Sequence, residues 1–168
     1  MSPLCQADIL FFDYFNNMIS PVDVVRLHNA LKRGGVSGSP SLAIAGFSSK
    51  GSIFGLYAKK AGFKIVAVSD ESCSVVDIGG NGGLDLSYLI KLKKSKNFRD
   101  IQLKNVLKTK PEFLSRIEVD VLMVEVLEEA LAEEVRARVV VELGKGLISK
   151  DASKTLRERR IPIIPLIP

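Results

Sequence analysis

Between Ser41 and Asp70 the chain reads SLAIAGFSSKGSIFGLYAKKAGFKIVAVSD, with glycines at 46 and 51 and an acid closing the stretch. Backbone N–H groups at the start of a helix are unpaired donors at its positive end, so a glycine turn that exposes them can hold a phosphate. A carboxylate at the end of the next strand can accept the hydroxyls of a ribose and repel a 2′-phosphate. The chemistry on offer is dinucleotide binding. In this turn Gly46 supplies the tight bend, Phe47 follows it, and Gly51 permits close helix–strand packing. Ser48 stands where a middle glycine would let a pyrophosphate approach; its side chain intrudes there, while its hydroxyl can donate to a phosphate oxygen. The N–H groups of Ser49 and Lys50 point outward from the helix start. Asp70 lies 24 residues after Gly46, in register for a ribose.

No second constellation accompanies this one. The single histidine, His28, falls between Leu27 and Leu31 on a predicted helix and reads as a surface or edge residue. Cys5 and Cys73 have no CxxC or Cys/His company, so neither a zinc site nor a disulfide framework is expected; Cys73 reads as a small structural residue. Glu125, Glu128 and Glu129 are close carboxylates, but acids gather at helix starts for dipole reasons alone. With no Ser/His/Asp, Cys/His or metal grouping, catalysis by this chain alone is not expected.

The elements that must position the turn are legible from period and punctuation. SPVDVVRLHNALKRGG carries a capping Ser20, Pro21 in the first turn, Asp23 near the positive end, and a stop at Gly34. SLAIAG and FKIVAVSD are short apolar runs, as buried parallel strands should be, with a helix over 52–61 between them. SCSVVDIGGNGGLD reads as a hairpin-like excursion, and LDLSYLIKLKK as an amphipathic helix with Leu86, Leu89, Ile90 and Leu92 inward. KPEFLSRI follows as a short helix, VDVLMVEVL as a strand, LEEALAEEVRAR as a helix, VVVELG as a strand, SKDASKTLRERR as a helix, and IPIIPLIP as a last strand. Alternation of this kind predicts a Rossmann-like, doubly wound α/β fold with a mainly parallel sheet and helices on both faces. The expected division is an N-terminal aromatic arm or short helix over 1–20, holding Phe11, Phe12, Tyr14 and Phe15, and a dinucleotide-binding domain over 21–168.

From about Pro21 onward the chain resembles the cofactor-binding domain of the glutamate/leucine/phenylalanine/valine dehydrogenases. The family's Gly-Phe-Gly-Asn-Val-Gly turn corresponds to Gly46-Phe47-Ser48-Ser49-Lys50-Gly51, and its Ala-Lys-Ile-Val-Ala-Val-Ser-Asp strand to residues 63–70. Its Val-Asp-Ile-Leu strand is similar to Val119-Asp120-Val121-Leu122, and its Val-Val-Glu-Gly-Ala-Asn-Gly-Pro segment to the stretch around Val140-Val141-Glu142. The resemblance implies binding of a nicotinamide dinucleotide, NAD more than NADP because of Asp70. It also implies that residues 124–127 line the nucleotide; here they are Val124-Glu125-Val126-Leu127, which sets an acid beside an anionic cofactor. The family's asparagine near the nicotinamide ribose is replaced by Lys145. The separate substrate domain, with its catalytic lysine and aspartate, has no counterpart, so the chain is read either as a complete small protein or as a piece of a larger enzyme.

Composition bounds the rest. The chain has 168 residues, 46% hydrophobic and 26% charged, the balance of a globular domain. No apolar run approaches the roughly 20 residues that span a bilayer, and no secretory leader is legible, so a reducing, cytoplasmic setting is expected. Eight basic residues stand against one acid between Lys91 and Lys110, a net +7 of the chain's +5 that leaves −2 elsewhere. This stretch reads as a solvated helix face plus loop, with nucleic-acid binding not expected because it matches no such motif. Two functions stay open: a dehydrogenase-like domain that binds a dinucleotide or adenine nucleotide without catalysis, and an interaction module that keeps the scaffold, self-associates through residues 1–20, and has lost the nucleotide.

Overall fold

The computed structural model describes residues 19–80, 82–144 and 146–166. The aromatic residues of the expected arm therefore lie outside the described residues, as does Lys145. Seven strands form one sheet: β1 Ser41–Ala45, β2 Lys64–Ser69, β3 Ser74–Asp77, β4 Val106–Thr109, β5 Val121–Val124, β6 Val139–Glu142 and β7 Ile163–Pro165. Their order is β4-β3-β2-β1-β5-β6-β7. The run from β2 through β1, β5 and β6 to β7 is parallel, whereas β3 is antiparallel to both β2 and β4.

The central strands are apolar along their length because both faces are covered. Helices α1 Pro21–Arg33, α2 Ser49–Ala61 and α3 Leu86–Lys93 pack on one face, where Leu27, Phe54 and Leu89 meet Leu42, Ile44 and Ile65. The short α4 Glu129–Ala132 and α5 Lys150–Glu158 lie on the other, with Ala132, Ala152 and Leu156 against Leu122 and Val140. This is the doubly wound α/β architecture. Strand order reverses at β1, so the switch point of the sheet falls between β1 and β5, where such folds open a crevice beyond the carboxyl ends of their strands.

Helix α1 illustrates how local signals set an element. Ser20 caps it by accepting from the Val22 N–H at 3.2 Å, Asp23 sits in the first turn, and Lys32 and Arg33 close the last. Ser20→Ala should cost about 1 kcal/mol of stability, read as a lowered urea midpoint; an unchanged midpoint would remove the cap from the account.

Five expectations are corrected. SCSVVDIGGNGGLD is not a hairpin about its glycines: the chain turns back at residues 70–73, β3 pairs with β2, and the glycine run carries the chain on to α3. The basic stretch is not only helix and loop, since Val106–Thr109 forms the edge strand β4. LEEALAEEVRAR is helical only over Glu129–Ala132, because the backbone beyond is drawn into other partners: the Arg136 N–H reaches Ser115 O and the Arg138 N–H reaches Val119 O. The expected helix over 52–61 begins earlier, at Ser49, and KPEFLSRI is a 3-10 helix over Pro111–Arg116.

Candidate functional site

The turn between β1 and α2 is built from backbone contacts that tolerate no side chain. Gly46 has φ 108°, and its N–H and that of Phe47 both reach Ser69 O, at 3.2 and 2.6 Å, which ties the turn to the end of β2. A Cβ on Gly51 would overlap the carbonyl oxygen of Gly46, so both glycines do what their positions demand. Phe47 is buried and packs on Phe98, with ring centroids 5.4 Å apart. It fills the core under the turn. Ser48 and Ser49 are exposed, and Lys50 is half-buried.

Ser48 is the N-cap of α2, its Oγ accepting from the Gly51 N–H at 3.5 Å. The same hydroxyl donates to Oε1 of Glu125. Glu125 follows β5, held by its N–H on Ala45 O at 3.1 Å, and its side chain lies directly over Gly46: a Cβ there would sit 2.8 Å from its Cγ and Oε2. An anion thus already occupies the mouth of the turn. Burial pushes the Glu125 carboxyl up from its ordinary value, against the opposing pull of Ser48, Gly51 and the nearby Lys50 charge. Val124 is fully buried in β5 and offers its side chain to the core.

Asp70 follows β2 directly, where the spacing puts it, but its side chain is only 2% exposed. Oδ1 accepts from Ser72 N at 2.8 Å, Ser72 Oγ at 2.6 Å and Cys73 N at 3.1 Å. Oδ2 accepts from Lys93 Nζ at 2.6 Å and Phe98 N at 3.0 Å. Burial alone would raise this carboxyl; the hydrogen bonds from Lys93, Ser72, Phe98 and Cys73 outweigh it and hold it well below the usual carboxylate range. Both oxygens are spoken for by the protein. The structure therefore brings Gly46, Ser48, Gly51 and Glu125 together at the β1–β5 crevice and keeps Asp70 inside the fold beside them.

Lys93 and Phe98 are the participants that sequence reasoning missed. Nothing marks Lys93 among eight basic residues, and the Phe98 contribution is a backbone N–H. Lys108 is similarly internal in effect, donating to the carbonyls of Arg99 and Ile101. His28 lies at an edge, its ring against Phe63 at 5.4 Å. Cys73 is buried, and burial pushes its thiol up, away from the reactive thiolate. Among the described residues no group of His, Cys, Asp and Glu could hold a metal ion, and no helix is long and apolar enough to cross a membrane. A groove of about 490 Å³ lined by Asp77, Asp85, Tyr88 and Lys104 opens near the start of β2, away from this turn.

Comparisons with known proteins agree with this geometry. The model of the glutamate/leucine/phenylalanine/valine dehydrogenase family matches residues 24–167. A cryptic catabolic NAD-specific glutamate dehydrogenase from Bacillus subtilis, GudB, is 30% identical over 141 residues, covering 81% of this chain and 32% of the relative. An NADP(+)-dependent glutamate dehydrogenase from Pyrobaculum calidifontis is 28% identical, covering 79% and 32%. The hetero-hexameric glutamate dehydrogenase from Thermus thermophilus superposes with a TM-score of 0.69 at 21% identity, over 86% of this chain and 34% of that one. The chain spans about a third of the length of the relatives it matches. With the Gly46–Gly51 turn in its expected place and the family model matching most of its length, this chain belongs to the glutamate/leucine/phenylalanine/valine dehydrogenase family.

Proposed function

We propose that this chain is a nicotinamide-dinucleotide-binding domain of that family without hydride-transfer activity of its own. The observation that carries the reading is the β1–α2 turn: Gly46 in the left-handed region and Gly51 against its carbonyl set the start of α2 at the switch point of the sheet, with the Glu125 side chain over it. Relatives on both sides of the cofactor divide, NAD-specific and NADP-dependent, support the ligand class. The pyrophosphate would lie over residues 46–51, next to Ser48, Ser49 and Lys50, with Val124-Glu125 along one side. Lys145, outside the described residues, is assigned to the nicotinamide end by the family resemblance alone. Substrate chemistry is left to groups outside this constellation: at the described part of the crevice the acid is Glu125, and Ser48 engages it. A free, buried Cys73 suits a reducing compartment such as the cytoplasm.

Discrimination between the two cofactors is expected to be weak. Asp70 selects against a 2′-phosphate only if it presents a charge to the ribose, and here its charge is met by Lys93 inside the fold. NAD and NADP should bind within about tenfold of each other, a difference of about 1.4 kcal/mol. Calorimetric titration with NAD, NADP and AMP tests both parts: a hundredfold preference for NAD would return Asp70 to the ribose, and no heat from any of the three at millimolar concentration would remove the nucleotide. The second reading, a scaffold that has lost its nucleotide and serves in association, is favoured by one observation, the Glu125 side chain seated over Gly46, and the same titration separates it from the first.

A further inference from the structure

Two departures from the family's turn, Ser48 and Glu125, lie 77 residues apart and meet in one hydrogen bond. Taken singly each opposes a pyrophosphate: a hydroxymethyl group fills the approach, and a carboxylate repels it. Taken together they complete each other. The Ser48 Oγ accepts from the Gly51 N–H and donates to Glu125, so one hydroxyl links the carboxylate to the start of the helix. A carboxylate and a phosphate ask for the same thing at a helix start, donors aimed outward and a positive field. Glu125 has the Ser48 hydroxyl as its donor, and the Lys50 charge adds to the field. Its side chain rests on the bare Cα of Gly46, the contact surface that a glycine at this position leaves for a ligand.

We propose that Glu125 is an internal occupant of the phosphate cradle, held by Ser48, which a nucleotide must displace in order to bind. This rests on the dinucleotide-binding reading of the crevice. The displacement asked for is local: Glu125 is anchored through its backbone N–H on Ala45 O, and Val126 beyond it is 64% exposed. Affinity is then set by competition between two anions for one set of donors, and the same pair makes the free domain self-capped. Sequence positions 48 and 125 act as one unit, so their substitutions should not add.

The test uses the whole chain and two probes. Inorganic pyrophosphate, titrated by calorimetry, should bind Glu125→Ala at least tenfold more tightly than wild type, Glu125→Gln by an intermediate factor, and Glu125→Ala/Ser48→Gly little more tightly than Glu125→Ala. In parallel, the Gly51 amide resonance, linked to Glu125 through Ser48, should follow a carboxyl titration above the ordinary Glu value in wild type and stay flat in Glu125→Ala; a circular dichroism melt of each variant confirms that it is folded. Equal pyrophosphate affinity in wild type and both Glu125 variants overturns the proposal, whatever the amide does. A Gly51 amide that does not titrate in wild type overturns it as well, by removing the contact. NAD separates this from the reading beneath it. NAD binding equally to wild type and variant sinks the internal occupant and leaves the dinucleotide site standing. A pyrophosphate gain without NAD binding keeps the occupant and removes the dinucleotide.

Discussion

Asp70→Ala is expected to lower the free energy of unfolding by about 3–5 kcal/mol, the usual range for removing one partner of a buried, hydrogen-bonded ion pair. The effect is large because the carboxylate joins three separate pieces of chain. It holds the turn after β2 through Ser72 and Cys73, the last turn of α3 through Lys93, and the following 3-10 turn through the Phe98 N–H. Alanine would leave Lys93 charged, only 22% exposed and unmatched, with the Phe98 and Cys73 N–H groups buried beside it. For a chain of this size the midpoint of thermal unfolding should fall by roughly 6–20 °C. Lys93→Met in the Asp70→Ala background should recover part of the loss, because it removes the stranded charge. A melt within a degree of wild type would show that the cluster carries no stability.

The same carboxylate sets an acid limb. Its folded-state value lies below its unfolded value, so the unfolded chain takes up the proton first as pH falls. The stability it supplies is complete above the ordinary Asp value of about 3.9 and is eroded as pH drops below that. Asp70→Ala should show a shallower loss of stability with acid than wild type over that range. Glu125 works in the opposite sense. Its folded-state value is raised, so between the unfolded and folded values the folded chain binds more protons, and stability falls as pH rises through that window.

Gly51→Ala is expected to cost about 3 kcal/mol, at the upper end for inserting a single methyl group. The added Cβ meets the Gly46 carbonyl oxygen, and the Met123 methyl stands 3.2 Å away. Gly46 cannot yield, since its turn is fixed by φ 108° and by adjacent N–H bonds to Ser69 O. Gly55→Ala is the internal comparison. There the new Cβ meets only the side-chain tips of Ile44 and Leu86, at 2.8 and 3.0 Å, which can rotate, and alanine is the better helix former by about 1 kcal/mol. Its net effect should stay within about 1 kcal/mol of zero. Urea unfolding of the two variants side by side reads the difference; equal midpoints would mean that α2 is not seated on β1 as described.

What the chain's own order of residues makes legible follows from how local each signal is. The apolar runs of β1, β2, β5 and β6, the capped start of α1 and the glycines of the first turn each specify their element within a few residues. β4 escaped notice because VLKT is short, half-exposed and set among lysines, and it is a strand only because β3 lies beside it. The acid near the cradle was legible as an acid at position 125. Its seat on Gly46 and its bond to Ser48 were not, because they depend on β5 lying next to β1 in register, Val124 opposite Ala45. Asp70 shows the same division most sharply. Spacing puts it at the end of β2, and only packing reveals that Lys93 arrives from α3 to claim it.

The two outer strands have a consequence for the molecule in company. A sheet with open rims offers unpaired backbone groups on which another copy could stack and grow into fibres. The β4 rim is flanked by Lys104 and Lys110, both solvent-facing, with Lys108 within it. The β7 rim is bracketed by Pro162 and Pro165, which have no N–H to lend. Among the described residues charge guards one margin and proline the other, and both features oppose stacking of a second copy on the sheet.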